Sequence, residues 1–571
     1  MATSAATESN NLRLVLLVIL LAQVIIVIDS TFMNVSISTL VADFKTTVTG
    51  IQNAITMYTL VMASFMIAGA KLGDIIGRKR AFVGGLIVYA AGTTLTALSP
   101  SLGFFILGWS FLEGIGAAIM LPAMMSLIVA NFPAGPERSR AYSAFAAIAG
   151  IAAGVGPVVG GFFTTFLSWR LAFLSELLIA IYIFLNRHII IDAPYEGPRP
   201  SFDWGGFCLS VLGLFTFVEG IVLASSYGFF KARKDFSLGN TVFLHAGQIS
   251  PTIIFIGVGL IILGAFVAYE LFRQRSGKSV LLDVTLLKNR AVGAGAATQL
   301  MQNLTLVGVI FALSLYVQME LNYTAIASGV TLLPLSFSVL LSAAISGRQL
   351  SRRVSPRTAV IGGFSLVVAG VIAMGILAQD ATSGWSFMLG LILIGLGVGT
   401  IGSQNQNLVM SSVSAQKSNE TSGILNTSLN IGSSLGTSLA GAIILGVFVN
   451  TATNLVDTNP AFSASEKTTL NQTISTKAQI VSNSQLEAEI SHLPPDQQQQ
   501  ILSINGQARR QALTQVYFGL GIVGLLGILA GRRLPHTGPM ATVIPEPEVP
   551  LPLPEPKKAK ARRRQVLELT G

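Results

Sequence analysis

Four carboxylic acids, Asp29, Glu113, Glu176 and Glu219, stand inside stretches that are otherwise strongly apolar. An ionisable side chain surrounded by hydrocarbon is costly, so it is read first as functional. The chemistry open to it is loading and releasing a proton, or attracting a cation. Asp29 lies about 16 residues into its run, roughly 24 Å from the inner end at 1.5 Å per residue, which embeds it in the outer half. Glu113 lies about 10 residues, roughly 15 Å, from the outer end of its run and so near the midplane. A purely structural reading is also open for Asp29, as a hydrogen-bond partner of Thr31 or Asn34. Glu176 follows Trp169-Arg170 by less than two turns, so an ion pair with Arg170 is at least as good a reading as a coupling role. Glu219 stands in a separate apolar run, well removed along the chain from the other three. The first candidates for taking up and releasing a proton are therefore Asp29 and Glu113, with Glu176 and Glu219 behind them.

A second group of residues could line a cavity for an apolar guest. It comprises Phe32, Met33 and Asn34, then Met57, Tyr58, Met62 and Met120, and the amides Gln299, Gln302, Gln404 and Asn405. Met and aromatic side chains adapt to varied apolar surfaces, although most such residues in any bundle simply pack. Uncharged amides within a span need partners or a wet cavity. No metal site is expected, because the four His are scattered and the single cysteine, Cys208, sits in an apolar run. No phosphate-binding loop or nucleophile constellation stands out. The chain is expected to be no enzyme and to need no cofactor.

These residues must be positioned by membrane helices. Of the 571 residues, 51% are hydrophobic and only 11% charged, and the mean hydropathy is +0.66. A soluble chain carries roughly 25% charged residues. Stretches of about 20 apolar residues fall near 13–37, 51–70, 81–98, 103–130, 141–163, 169–190, 204–224, 251–272, 293–317, 324–347, 357–378, 385–412, 419–449 and 513–534. That predicts an all-α membrane protein with about fourteen transmembrane helices. The first run follows Arg13 without a small-residue cleavage site and reads as a retained helix. With both termini placed in the cytoplasm, 27 of the 36 Lys and Arg fall on the inner side, the bias expected of cytoplasmic loops. The net charge of +10 therefore sits in short loops and gives no reason to expect nucleic-acid binding. Residues 1–12 read as a cytoplasmic N-terminus and 450–512 as an external insertion, a small helical cap. Residues 535–571 read as a disordered, Pro-rich, basic cytoplasmic tail suited to anionic lipid.

Three local patterns point to a family. The loop Gly69-Ala-Lys-Leu72-Gly-Asp74-Ile-Ile-Gly77-Arg78-Lys79 resembles the signature loop of the major facilitator superfamily, with Leu72, Asp74, Gly77, Arg78 and Lys79 matching. Ala70 and Ile75 depart from it. Gly347 to Arg357 echoes the loop weakly, as two parallel six-helix halves would. The run Gly150 to Gly161 is similar to the antiporter motif of drug–proton exchangers, with Gly156, Pro157, Gly160 and Gly161 in place and Gly154 grouped with them as a further small residue. Asp29-Ser30-Thr31-Phe32-Met33-Asn34-Val35 resembles the first-helix stretch of the fourteen-helix drug:proton antiporters, except that Ser38 replaces the terminal Pro. The family's Arg and Gln in the fourth helix are here Ser110 and Glu113, so the Arg that the resemblance associates with proton relay is missing from this chain.

The resemblance implies a major facilitator fold with an N-terminal half at 13–190 and a C-terminal half at 293–534. Two central helices are inserted within 191–292. Asp74, Gly77, Arg78 and Lys79 would form a conformational latch. The expected function is proton-coupled export of lipophilic, cationic compounds by alternating access, in the cell membrane and as a monomer. The expected partners are small lipophilic substrates, protons and membrane lipids. Export of an endogenous lipid or other amphiphile is the alternative, and a non-transporting sensor on the same scaffold is the second.

Overall fold

The computed structural model describes residues 2–132, 136–192, 201–238, 241–346, 350, 353–413, 417–460, 462–477, 486–487, 490–491 and 494–536. Long helices dominate. They are labelled α1 (Ala2–Phe32), α2 (Val48–Ile76), α3 (Arg78–Ala97), α4 (102–131), α5 (Pro136–Phe166), α6 (Trp169–Leu185), α7 (Trp204–Tyr227), α8 (Pro251–Arg275), α9 (Arg290–Met319), α10 (325–345), α11 (Pro356–Leu377), α12 (384–411), α13 (Ser418–Thr458) and α14 (Pro495–Arg532).

Among the described residues, eleven helices are long and apolar enough to cross a membrane. Helices α3, α5 and α6 occupy expected crossing segments but fall outside that set. The α3 helix opens on Arg78, Lys79 and Arg80, α6 has only 17 residues, and the apolar part of α5 is confined to Val155–Phe166. Helix ends also differ from the hydropathy windows. The first run breaks at Met33–Val35 into a 3-10 turn and resumes as the short helix Ile37–Asp43. The α13 helix continues to Thr458 and α14 begins at Pro495, so both extend well into 450–512; a further helix, Ala464–Lys477, lies between them.

Local chemistry explains several starts and turns. Side chains of Thr47, Ser168, Asp203, Asn289 and Ser355 accept backbone N–H donors in the first turns of α2, α6, α7, α9 and α11. Gly77 joins α2 to α3 at φ 99°, a conformation that disfavours any side chain. This is the tight turn expected of the signature loop.

The first half packs α1 against α5 and α3 against α4, and the second packs α9 against α13 and α11 against α12. The α7–α8 pair is joined by a two-stranded hairpin, Phe236–Leu238 with Thr241–Leu244. It docks through α7 on α2 and α13, one helix from each half. Small residues bring α3 and α4 together: a Cβ on Gly92 would lie 2.7 Å from the Glu113 backbone nitrogen. Among the described residues, the hydrogen bonds between the halves lie toward the end remote from Gly77. Gln52 Nε2 donates to Thr437 O at 3.1 Å, Gln318 Nε2 to Asn34 O at 3.2 Å, and the Ile326 amide to Thr165 Oγ1 at 3.2 Å.

Charged pairs occupy the helix ends. Glu320 accepts from Arg509 at 3.0 Å and Arg510 at 3.4 Å, tying α14 to the end of α9. At the other end Lys417 Nζ lies 2.7 Å from Asp283 Oδ2, joining the segment before α9 to the start of α13. Burial works to raise the Asp283 carboxyl, but hydrogen bonds from Lys417, Thr285 and Gln274 outweigh it and hold the group at about 2. Its folded pKa thus lies below the unfolded value, so the pair stabilises the fold above about pH 4 and the contribution fades as pH falls toward 2. Because Lys417 is 42% exposed, solvent screening reduces the gain to about 1–2 kcal/mol. Asp283→Asn is expected to lower the thermal unfolding temperature of the detergent-solubilised protein at pH 7. Wild type and variant should converge on acidification. A constant gap between them would mean that Asp283 acts through packing instead.

Candidate functional site

The α4 helix is not uniform. Its stretch Ile106–Glu113 is π-helical, between α-helical Leu102–Phe105 and Gly114–Asn131. Such a widened turn re-aims side chains and often marks a working site. Here it buries Trp109, Ser110 and Glu113 together, each no more than 1% exposed.

Glu113 meets two other acids there. One carboxyl oxygen from each of Asp29, Glu113 and Glu176 lies within 4.8 Å of the others, and all three side chains are buried. Each acid has a neutral donor. The Trp109 indole N–H donates to Asp29 Oδ1 at 2.7 Å, Thr96 Oγ1 to Glu113 Oε1 at 3.0 Å, and the Tyr89 hydroxyl to Glu176 Oε2 at 3.0 Å. Asp29 Oδ2, Glu113 Oε2 and the Tyr58 hydroxyl are buried without a well-aligned hydrogen bond, although Tyr58 and Glu113 both approach the Asp29 carboxyl. Tyr58 stacks on Trp109 with centroids 4.9 Å apart and planes within 2°, which fixes the indole that holds Asp29. Among the described residues no Lys, Arg or His pairs with the three acids. The same triad is the grouping of His, Cys, Asp or Glu dense enough to ligate a metal ion among those residues. Carboxylates alone would suit a hard cation, so the donor set fits a small cation as well as it fits protons.

The structure changes the ranking of Glu176. Arg170 does not pair with it: the guanidinium lies 3.3 Å from Asp43 Oδ2, donates to Ser99 O and stacks at 4.2 Å on Trp169. Six residues separate Arg170 from Glu176, which carries the acid roughly 9 Å deeper and onto another face of α6. Glu176 therefore joins Asp29 and Glu113. Asp29 hydrogen-bonds Trp109, whereas Thr31 Oγ1 turns back to the carbonyls of Val27 and Ile28. Glu219 stands apart on α7, half-buried, its Oε2 without a partner. Ser110, where the family carries Arg, donates to Ala54 O at 2.8 Å and so ties α4 to α2.

The cavity candidates divide. Tyr58 reaches the triad, and Met62 and Met120 are buried in the same half while Met57 is partly exposed. Phe32 packs edge-on against Phe173 at 5.2 Å, and Met33 and Asn34 are buried beside it in sequence. The amides form a separate group in the second half. Asn405 Nδ2 donates to Gly295 O and Gln299 Oε1, Gln404 Nε2 to Ser346 O, and Gln302 Nε2 to Val398 O. Their donors hold helices together, while Gln302 Oε1, Gln404 Oε1 and Asn405 Oδ1 stay unpartnered.

In the antiporter motif, Gly156, Pro157, Gly160 and Gly161 are buried on α5. Gly160 backs onto Phe32, and Gly161 faces the backbone of Ala325 and Ile326 in the other half. Gly154 lies on α5, but its surroundings are outside the described residues. Within the latch, Gly77, Arg78 and Lys79 sit at the α2–α3 turn, where the Lys79 amide donates to Asp192 Oδ2 at 3.2 Å. The Asp74 side chain, the weak second copy at 347–349 and 351–352, and 537–571 of the tail are outside the described residues.

Several partners escape sequence reading. Trp109, four residues before Glu113, could have been suspected from its spacing, but nothing singles out Tyr89 or Thr96. Ser38 is now intelligible: its N–H and Oγ both donate to Gln318 Oε1, at 3.2 and 2.9 Å, and the Pro of the family pattern has no N–H to offer.

A bundle of apolar helices in two packed halves, with acids buried inside one of them, is the architecture of a multi-pass membrane transporter. The chain belongs to the major facilitator superfamily, whose model matches residues 19–437. It is 28% identical over 451 residues to a probable actinorhodin transporter of Streptomyces coelicolor, covering 77% of this chain and 74% of the relative. It is 27% identical to a puromycin resistance protein of Streptomyces alboniger, covering 78% and 84%. A multidrug resistance protein B homolog of Mycobacterium tuberculosis is 26% identical, with 75% of each chain covered. Among solved structures, a bacterial homolog of the lysosomal transporter Spinster, in an inward-facing unoccupied conformation, has a TM-score of 0.56 at 15% identity. It covers 92% of this chain and 98% of its own, and supports the fold. The chain is thus a transporter and not an enzyme.

Proposed function

We propose that this transporter exports lipophilic, cationic compounds in exchange for protons, by alternating access of its two halves. The observation that carries the reading is the triad of Asp29, Glu113 and Glu176, three buried acids within 4.8 Å of one another and without a basic partner among the described residues. Full charge on all three would cost about 3.5 kcal/mol or more per pair at an effective dielectric of 20. A proton shared between two acids relieves that repulsion and turns an orphaned acceptor, such as Glu113 Oε2, into a donor. A cationic guest would relieve the same repulsion, so proton and guest compete for one negative site. That competition is what exchange requires.

The names of the relatives support export of small molecules, and the antiporter-like stretch on α5 supports the same direction. In this reading the proton gradient is the energy source, no cofactor takes part, and both termini face the cytoplasm of the cell whose membrane holds the protein. The test is transport of a fluorescent lipophilic cation into liposomes containing the purified protein under an imposed pH gradient. Uptake should follow the gradient and collapse with a protonophore. A sodium gradient that drives uptake at constant pH would overturn proton coupling and assign the triad to a cation. Flipping of a labelled phospholipid without any cation uptake would favour the amphiphile exporter.

A further inference from the structure

We propose that the groove between α3 and α6, at the end of the bundle carrying the Gly77 turn, binds the headgroup of an anionic phospholipid. The groove, of about 800 Å³, is lined at its mouth by Lys79, Arg80, Arg187 and His188. Lys79, Val83 and Ile87 follow one another at intervals of four residues, so they share one face of α3. Basic side chains thus give way along the helix to apolar ones. Ile87 is 52% exposed and, across the groove, Leu185 is 63% exposed. A free inorganic anion would use the basic mouth and leave this apolar wall uncovered. A phospholipid uses both, phosphate at the mouth and acyl chain along Val83, Ile87 and Leu185.

The charges are available. Among the described residues none of the four basic side chains forms an ion pair. The nearby acid, Asp192, accepts from the Lys79 backbone amide, not its ammonium. The Arg187 guanidinium donates to Phe184 O at 2.8 Å and lies 4.0 Å over the Phe184 ring, which pre-orders it without neutralising it. Arg80 is exposed. Basic pockets between membrane helices are suited to acidic headgroups, and here Lys79 belongs to both the groove and the α2–α3 turn. The lipid would therefore touch the segment expected to latch one conformation of the cycle.

The test uses the full-length protein in mixed-lipid nanodiscs with a phosphatidylglycerol carrying a photoreactive acyl chain. Cross-links are expected at peptides containing Ile87 and Leu185, competed by unlabelled phosphatidylglycerol but not by phosphatidylcholine. The double variant Arg80→Gln/Arg187→Gln should lower their yield roughly tenfold, and Lys231→Gln/Arg233→Gln, in a different basic groove, should leave it unchanged. Cross-links elsewhere on the chain provide the internal reference, and equal unfolding temperatures in detergent exclude a folding defect. An undiminished yield in the Arg80/Arg187 variant would overturn the proposal. So would displacement of the lipid by inorganic phosphate, which would reduce the groove to a simple anion site.

Discussion

Asp29→Asn abolishes gradient-driven transport while leaving counterflow, the exchange of labelled for unlabelled substrate without net proton movement, measurable. The expected loss is on the order of a hundredfold, the scale of removing a positioned proton-transfer group. Asp29 is the acid held most firmly, with the Trp109 N–H at 2.7 Å and the indole itself clamped by Tyr58. Asn preserves the acceptor for that bond, so the side chain stays in place and only its charge and proton are lost. Glu113→Gln and Glu176→Gln should reduce driven transport comparably, because the triad shares its charge over all three acids. Tyr89→Phe removes the neutral donor to Glu176 Oε2, together with a long 3.5 Å contact to Ile25 O, and should shift the pH profile of transport with little effect on its maximum. Parallel loss of counterflow in Asp29→Asn would point to substrate binding or folding, not coupling. Wild-type driven transport in Asp29→Asn and Glu113→Gln would remove the triad from the mechanism.

Two triad members are legible in the sequence, since an acid in an apolar run is conspicuous on cost alone. Glu176 is visible as an acid but ranks second in the sequence, because Arg170 is close along the chain and an ion pair is at least as good a reading as a coupling role. The helix places Arg170 at the α6 terminus, within reach of Asp43 and Trp169, and sends Glu176 inward to Tyr89. The π-helical stretch that aims Glu113 had no sequence signal, since Ile106–Glu113 reads as an ordinary apolar helix. The amides of α9 and α12 read as needing either partners or a wet cavity, and their donors take the first course, bonding to backbone or to one another between α9, α12 and the end of α10. Hydropathy located the helices but not their ends. It cannot see that α13 and α14 continue as polar helices beyond their apolar portions, because tertiary packing and capping set those limits.

The second large effect is expected at Gly161, where the two halves touch. A Cβ there would lie 2.6 Å from Ile326 Cα and 2.7 Å from Ala325 O, backbone atoms of α10 that cannot rotate away. Directly beside it, a Cβ on Gly329 would meet Pro157 O at 2.3 Å, so the contact is tight from both sides. The same edge carries the Ile326 amide bond to Thr165 and the Ser38–Gln318–Asn34 clamp. Gly161→Val wedges this contact apart without touching the triad. A state with the halves joined at this end then becomes inaccessible or rare, and alternating access halts even though protons can still load. Moving a two-state equilibrium from one form to the other takes about 5.5 kcal/mol, a scale that overpacking against rigid backbone approaches only in part. Net transport should therefore fall at least about tenfold, not vanish. Spin labels at 165 and 326, on a background with Cys208 replaced, should report a longer mean separation in the variant, while helicity and unfolding temperature change little. If the distance distribution and transport both match wild type, the α5–α10 contact is not part of the cycle. A longer separation with normal transport would mean that the joined state lies off the productive path.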